Sequence, residues 1–250
     1  MHCVSACVFK TMKSILIIFF FLSFFAQAQK PFAVVELFTS EGCSSCPPAD
    51  ALLSKTKANA EKTSQNIFFL AYHVDYWNKG GWKDPFSKFQ FTLLQENYSR
   101  ILAEKEMYTP QAVVNGVKSF TGSKEEKLNE NIKHALSEVP EITFSVEKDL
   151  IGNDTLFVKF SISKSDPNYV LRLALTEDDL SSNVMHGENE GKNLHHDSVV
   201  RIFYSIDDPQ KTGQAKIPLK GNKITGKHKL IAFIQNKQTM KIIAADKIIF

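Results

Sequence analysis

Two thiols separated by two residues, Cys43-Ser44-Ser45-Cys46, form the most reactive pattern in the chain. A thiolate is the nucleophile of disulfide exchange and also a soft metal ligand, so the pair suits either chemistry. The apolar run Phe32 to Thr39 precedes it, and Pro47-Pro48-Ala49-Asp50-Ala51-Leu52-Leu53 follows. The first reads as a buried strand, and the second opens a helix with proline in its first turn. Cys43 is thus expected where strand passes into helix, facing unpaired N–H groups and the positive end of the helix dipole. That placement makes Cys43 the expected exposed nucleophile and Cys46, one turn further in, the buried resolving thiol. No second C-x-x-C is present to complete a four-thiolate zinc site. Redox chemistry leads; half a metal site and an inert disulfide remain as alternatives.

Export agrees with the first of these. Ile15 to Phe25 is almost wholly apolar, with Lys10 and Lys13 before it and Ala26-Gln27-Ala28 after it. A basic flank, a short apolar stretch and a small-x-small site make residues 1–28 a cleavable signal peptide. A spanning helix needs about 20 apolar residues, so no stable membrane anchor is expected after cleavage. Met12 is a second plausible start. Cys3 and Cys7 leave with the signal, so a single cysteine pair would remain in an oxidising periplasmic or secreted setting.

Further groups are placed to serve the pair. Tyr108-Thr109-Pro110 stands before a predicted hairpin, where a cis proline would set its loop against the sulfurs and present backbone to a substrate. Tyr108, Thr109, Pro110 and Trp77 are therefore the expected substrate-positioning residues. His73 ends the second strand and, with Cys43 and Cys46, could complete a Cu(I) site. His195 and His196 are adjacent on a strand and point to opposite faces, which disfavours one shared ion. The loop from Gly187 to Asp197 is expected to lean toward the cysteines. No organic cofactor is implied, because the electrons stay on sulfur.

The elements that must position these groups follow from periodicity. A strand over Ile67–Val74 is followed by a helix opening at Asp84-Pro85. Gln111–Asn115 and Val117–Phe120 form a hairpin, and Ser123 with Glu126 makes a capping box for a helix through Leu136. After Pro140 the period becomes two: Ile142, Phe144, Val146; Leu156, Val158, Phe160, Ile162, with the Gly152-Asn153-Asp154 turn between. Val170–Leu175, Val199–Tyr204, Leu230–Ile234 and Ile242–Ile249 continue as strands. The expected architecture is an α/β thioredoxin-like domain, residues 29–140, followed by an all-β antiparallel sandwich, residues 141–250.

Composition is that of a globular protein, 43% hydrophobic and 23% charged over 250 residues. Thirty basic against 27 acidic residues give a net charge of +3. With no basic stretch interleaved with aromatics, nucleic acid is not an expected partner.

The run Val35-Glu36-Leu37-Phe38-Thr39-Ser40-Glu41-Gly42-Cys43-Ser44-Ser45-Cys46-Pro47-Pro48-Ala49-Asp50 resembles the signature of a family of secreted thioredoxin-like proteins classed as a domain of unknown function. The resemblance continues in His73-Val74-Asp75-Tyr76-Trp77, Gly81-Trp82-Lys83-Asp84-Pro85-Phe86, Tyr108-Thr109-Pro110-Gln111, Gly187-Glu188-Asn189-Glu190-Gly191 and His196-Asp197-Ser198-Val199-Val200-Arg201. It implies a thioredoxin-like fold and export, and brings no substrate with it. Together with the cysteine pair, the expectation is an exported thiol–disulfide oxidoreductase acting on protein or small-molecule thiols and disulfides. A Cu(I) metallochaperone using the same cysteines, and a binding module with a fixed disulfide, are the alternatives.

Overall fold

The computed structural model describes residues 29–152 and 154–250. The expected signal peptide and Asn153 of the expected turn lie outside the described residues. In the first half, β1 (Ala33–Thr39), α1 (Pro47–Lys62), β2 (Ile67–His73) and α2 (Phe89–Ile101) lead to the hairpin β3 (Gln111–Val114) and β4 (Lys118–Thr121), then α3 (Glu125–Ala135). Strands follow: β5 (Phe144–Ile151), β6 (Thr155–Ile162), β7 (Tyr169–Glu177), β8 (Leu180–Asn183), β9 (Asn193–His196), β10 (Val199–Asp207), β11 (Thr212–Pro218), β12 (His228–Asn236) and β13 (Ile242–Ile249). Among the described residues the fold is mixed α/β, with three helices and one large, mostly antiparallel sheet. No described helix is long and apolar enough to cross a membrane.

That sheet has eight strands in the order β13-β12-β7-β10-β2-β1-β3-β4. It crosses the boundary expected near Pro140. Val199 of β10 pairs in parallel with Ala71 of β2, and the Ala71 N–H donates to the Ser198 carbonyl at 2.8 Å. The two expected halves therefore share one sheet.

Alternation along the strands builds its faces. Ala33, Val35 and Leu37 of β1 pack with Leu52 and Leu53 of α1 and Leu128 and Ile132 of α3. Val34 and Phe38 turn to the other face, where Tyr72, Phe91 and Tyr98 meet Phe203 and Phe233 from the second half. Leu171, Leu173 and Leu175 of β7 face a three-stranded sheet, β11-β6-β5, through Leu156, Val158 and Ile217. Burying that many large apolar side chains, at about 1.5–3 kcal/mol each, is what ties the layers together.

Three local expectations are corrected. The helix expected at Asp84-Pro85 begins at Phe89, behind Lys88; the Asp84 carboxylate turns inward instead, bonding His73 and the Glu41 N–H. The Ser123–Glu126 capping box is not formed, because Lys124 occupies the cap position of α3 without a side-chain bond. β8, β9 and β11 arise where no strand was expected; all three are short or polar, and each alternates exposed with covered residues.

Candidate functional site

β1 and β2 run in parallel with Thr39 opposite His73, so the chain leaves both strands at the same end of the sheet. Turns join Ser40 to Cys43 and Cys43 to Cys46 through N–H···O bonds of 3.2 and 3.1 Å. Gly42 is required there: a Cβ would stand 2.5 Å from the Trp77 carbonyl oxygen, which closes over the turn. Cys46 caps α1, and Pro47 and Pro48 take its first positions. Neither proline has an N–H, so the helix end offers fewer donors than a usual one.

Both cysteines are free thiols. Cys43 is held down to about 6, first by the hydrogen bond from the Cys46 thiol, against the effect of burial, with Ser45 and Thr109 adding to it. Its sulfur lies 3.2 Å from Ser45 Oγ and 3.7 Å from the Thr109 carbonyl. Burial first, then the Cys43 sulfur and the Asp50 charge, push Cys46 far up. At neutral pH the pair is a thiolate beside a thiol. Hydrogen bonding lowers Cys43 and burial raises Cys46, while the helix itself begins at Pro47, beyond both sulfurs.

The expectation of an exposed Cys43 is also corrected, since Cys43 is 1% exposed and Cys46 0%. The cover comes from the second half of the chain. Asn189 Nδ2 donates to the Glu41 and Cys43 carbonyls at 2.8 and 2.9 Å, and the Ser44 N–H donates to Glu188 Oε2 at 3.0 Å. The loop from Gly187 to Asp197 does lean on the cysteines.

Beneath them lies a buried group of acids and imidazoles. Thr39 Oγ1 donates to Asp50 Oδ2 at 3.1 Å, and His196 Nδ1 lies 3.9 Å from the same oxygen. His196 Nε2 lies 3.1 Å from Glu41 Oε1, which also accepts from the Ser182 hydroxyl, while Trp82 Nε1 donates to Glu41 Oε2 at 3.1 Å. The His73 and His196 rings meet at 4.8 Å between centroids, and His73 Nδ1 lies 2.7 Å from Asp84 Oδ2. Burial pushes Asp50 up to about 7, against the His196 charge and the Thr39 bond. Asp84 is held below the usual carboxylate range: burial opposes this, but His73 and two backbone N–H groups outweigh it.

Of the positioning residues, Thr109 and Pro110 stand at the sulfurs, joined by a cis peptide bond. Tyr108 is one step removed: Gln95 holds its carbonyl at 2.7 Å, and its hydroxyl lies 3.5 Å from Ser119 on β4. Trp77 reaches the site through its backbone, and its ring carries the Lys79 ammonium at 4.1 Å from the centroid. His73 is turned to Asp84, and among the described residues no three His, Cys, Asp or Glu side chains stand close enough to hold one metal ion. The three-ligand copper arrangement with His73 is therefore not formed. Glu41, Asp50, Asp84 and Ser182 were not expected as site residues. Acidic residues flanking the cysteines within an otherwise apolar stretch were the available signal for the first two.

A family model described as "Protein of unknown function (DUF1223)" matches residues 34–235, from β1 to β12. The chain belongs to the DUF1223 family. This DUF1223 protein is similar to the crystal structure of protein AGR_C_4864 from Agrobacterium tumefaciens, at 24% identity and a TM-score of 0.65 over 90% of this chain and 96% of that one. The two share a fold. A domain of the outer membrane lipoprotein Omp28 from Porphyromonas gingivalis matches 45% of this chain and 90% of that one, at 14% identity and a TM-score of 0.24, too low for a common fold. No curated protein matches the sequence.

Proposed function

We propose that this DUF1223 protein is an exported thiol–disulfide oxidoreductase built on a thioredoxin-like unit. The observation that carries the reading is the opposite polarity of the two sulfurs, Cys43 lowered to about 6 and Cys46 raised. A thiolate whose pKa lies near ambient pH is the most effective attacker of a disulfide. Strand order supports the unit: β2-β1-β3-β4, with α1 joining the parallel pair β1–β2 and the antiparallel hairpin β3–β4 leading into α3. Thr109 and Pro110 beside Cys43 support a substrate strand laid along that loop.

Cys43 attacks one sulfur of a substrate disulfide; the Cys43–substrate bond forms and the other substrate sulfur leaves as thiolate. Cys46 then attacks Cys43 Sγ, releasing the second substrate thiol and closing the Cys43–Cys46 disulfide. Run backward, the same steps oxidise a dithiol. The signal-peptide pattern of residues 1–28 supports a compartment where disulfides persist.

Reduction of a disulfide-linked protein substrate by the exported form, with a dithiol as electron donor, tests the reading. Turnover that Cys43→Ser abolishes is expected; turnover surviving in Cys43→Ser would overturn it.

A further inference from the structure

At the end of α1 away from the cysteines, β2 enters the large sheet ahead of its neighbour. β10 meets β2 only at Val199 opposite Ala71, so Ile67 to Leu70 have β1 on one side and no strand on the other. The Ala71 N–H points across that edge to the Ser198 carbonyl. By strand alternation the Phe69 N–H, two residues earlier, points the same way and meets no strand. A cavity of about 420 Å³ lies against this edge. Its size falls in the roughly 300–1,000 Å³ range of small-molecule sites. Ile67, Phe68 and Phe69 of β2 line it, with Ala60 and Glu61 from the last turn of α1 and the β12–β13 hairpin.

The hairpin brings charge to this apolar place. Lys229 pairs with Ile249 and Ile231 with Lys247, so all four side chains stand on one face, in two successive rungs that line the cavity. On the outer rung Lys229 is taken: its ammonium pairs with Glu61 and Asp178. Lys57 of α1 shares those carboxylates and reaches Asp197 at 3.6 Å. On the inner rung Lys247 has no carboxylate partner among the described residues, and its ammonium stands 5.8 Å from the centre of the Phe68 ring. Lys30 lines the same cavity and is likewise without an ion pair among the described residues. Gln29 fixes the chain that brings it there, donating to the Ala245 carbonyl at 2.9 Å and accepting from the Phe144 N–H at 3.0 Å. Two unpaired ammonium groups and an unpaired edge N–H thus border walls formed by Phe68, Ile231 and Ile249.

We propose that this cavity binds a small amphipathic anion, an oxyanion head of the carboxylate class on a short apolar body, with the head at Lys30 and Lys247 and the body along Phe68, Ile231 and Ile249. Charge sets the class of head. The carboxylates nearby are already held by Lys57 and Lys229, whereas Lys30 and Lys247 have donors to spare, and hydrogen bonds from an ammonium to an oxyanion are among the strong ones. The walls set the body, because a bare ion would leave the apolar surface of Phe68 and Ile231 in contact with water. Binding here involves no step at the sulfurs, so it stands or falls independently of the exchange reaction.

Titration of the exported protein with anilinonaphthalene sulfonate, an aromatic body with one oxyanion head, reads the site by fluorescence. One saturable site is expected. Octanoate is expected to displace the dye, while octyltrimethylammonium and inorganic phosphate leave it in place. Lys30→Gln combined with Lys247→Gln is expected to weaken both dye and octanoate at least about fivefold, two partly exposed charge contacts being removed. Ile249→Glu, at an exposed position of the apolar wall, is expected to weaken them comparably by setting a like charge beside the head. Lys124→Gln combined with Lys127→Gln, outside the cavity, is expected to bind as wild type does. Should the first double variant not fold, Ile249→Glu carries the comparison. No saturable binding, or wild-type affinity in the folded cavity variants, would overturn the proposal. Displacement by octyltrimethylammonium as strong as by octanoate would overturn the anionic head, and displacement by phosphate alone would overturn the apolar body.

Discussion

Asn189 holds Cys43 from the far end of the chain: its side-chain amide donates to the Cys43 carbonyl at 2.9 Å across 146 residues of sequence. The same amide donates to the Glu41 carbonyl, and Lys192 Nζ donates to Asn189 Oδ1. One buried side chain therefore fixes the turn that carries the nucleophile and fastens the loop that covers it. Access to Cys43 depends on that loop letting go. Asn189→Ala is expected to cost about 1–3 kcal/mol of stability, by leaving the buried Glu41 carbonyl without a donor and the Cys43 carbonyl with the Cys46 N–H alone. It should also speed alkylation of Cys43 in the folded protein. Unchanged labelling in the variant would show that the loop does not limit access.

Labelling also reads the polarity of the sulfurs. With iodoacetamide, Cys43 of the reduced protein is expected to react with a midpoint near pH 6, while Cys46 stays unlabelled through neutral pH. Replacing Ser45, whose hydroxyl lies 3.2 Å from the sulfur, with alanine should raise that midpoint. Peptide mass resolves the two sites, and faster labelling at Cys46 would reverse the assignment.

On the opposite face of β1, Glu36 is fully buried, with Tyr98 donating to its Oε2. Burial, partly offset by that bond, lifts its carboxyl from 4.5 to about 7. The folded value lies above the unfolded one, so its protonated form favours folding. The stability it contributes is complete below about pH 4.5 and is lost as pH rises through about 7, a difference of about 3 kcal/mol once fully ionised. Glu36→Gln is expected to be more stable than wild type at pH 8 and close to it at pH 4, by urea denaturation. A variant no more stable at pH 8 would contradict this.

Processing is open to a direct check. Protein recovered from the exported fraction should begin after Ala28, and intact mass decides it; retention of Met1 or Met12 would contradict a cleaved signal.

The elements around the cysteines were legible because local signals and packing agree there. The apolar run of β1 is buried on both faces, and Pro47-Pro48 opens α1 where expected. Asp84 misled for a physical reason: Asp before Pro is a good helix cap, yet a buried imidazole and a free N–H claimed its carboxylate more strongly. The joining of β10 to β2 rests on a single non-local pair, Val199 with Ala71, which no window of sequence encodes. The contact of the loop that carries His196 with the cysteines was anticipated. The acidic partners of His196 were not, because Glu41 and Asp50 become buried only when β9 lies against α1.

The most direct measurement equilibrates the exported protein in glutathione buffers of stepped redox poise, quenches in acid, and reads the Cys43–Cys46 peptide by mass. Exchange chemistry predicts a reversible loss of two hydrogens at that pair, approached equally from the reduced and oxidised sides and absent in Cys43→Ser. Thiols that stay reduced at every poise, or a disulfide that glutathione never opens, would contradict it.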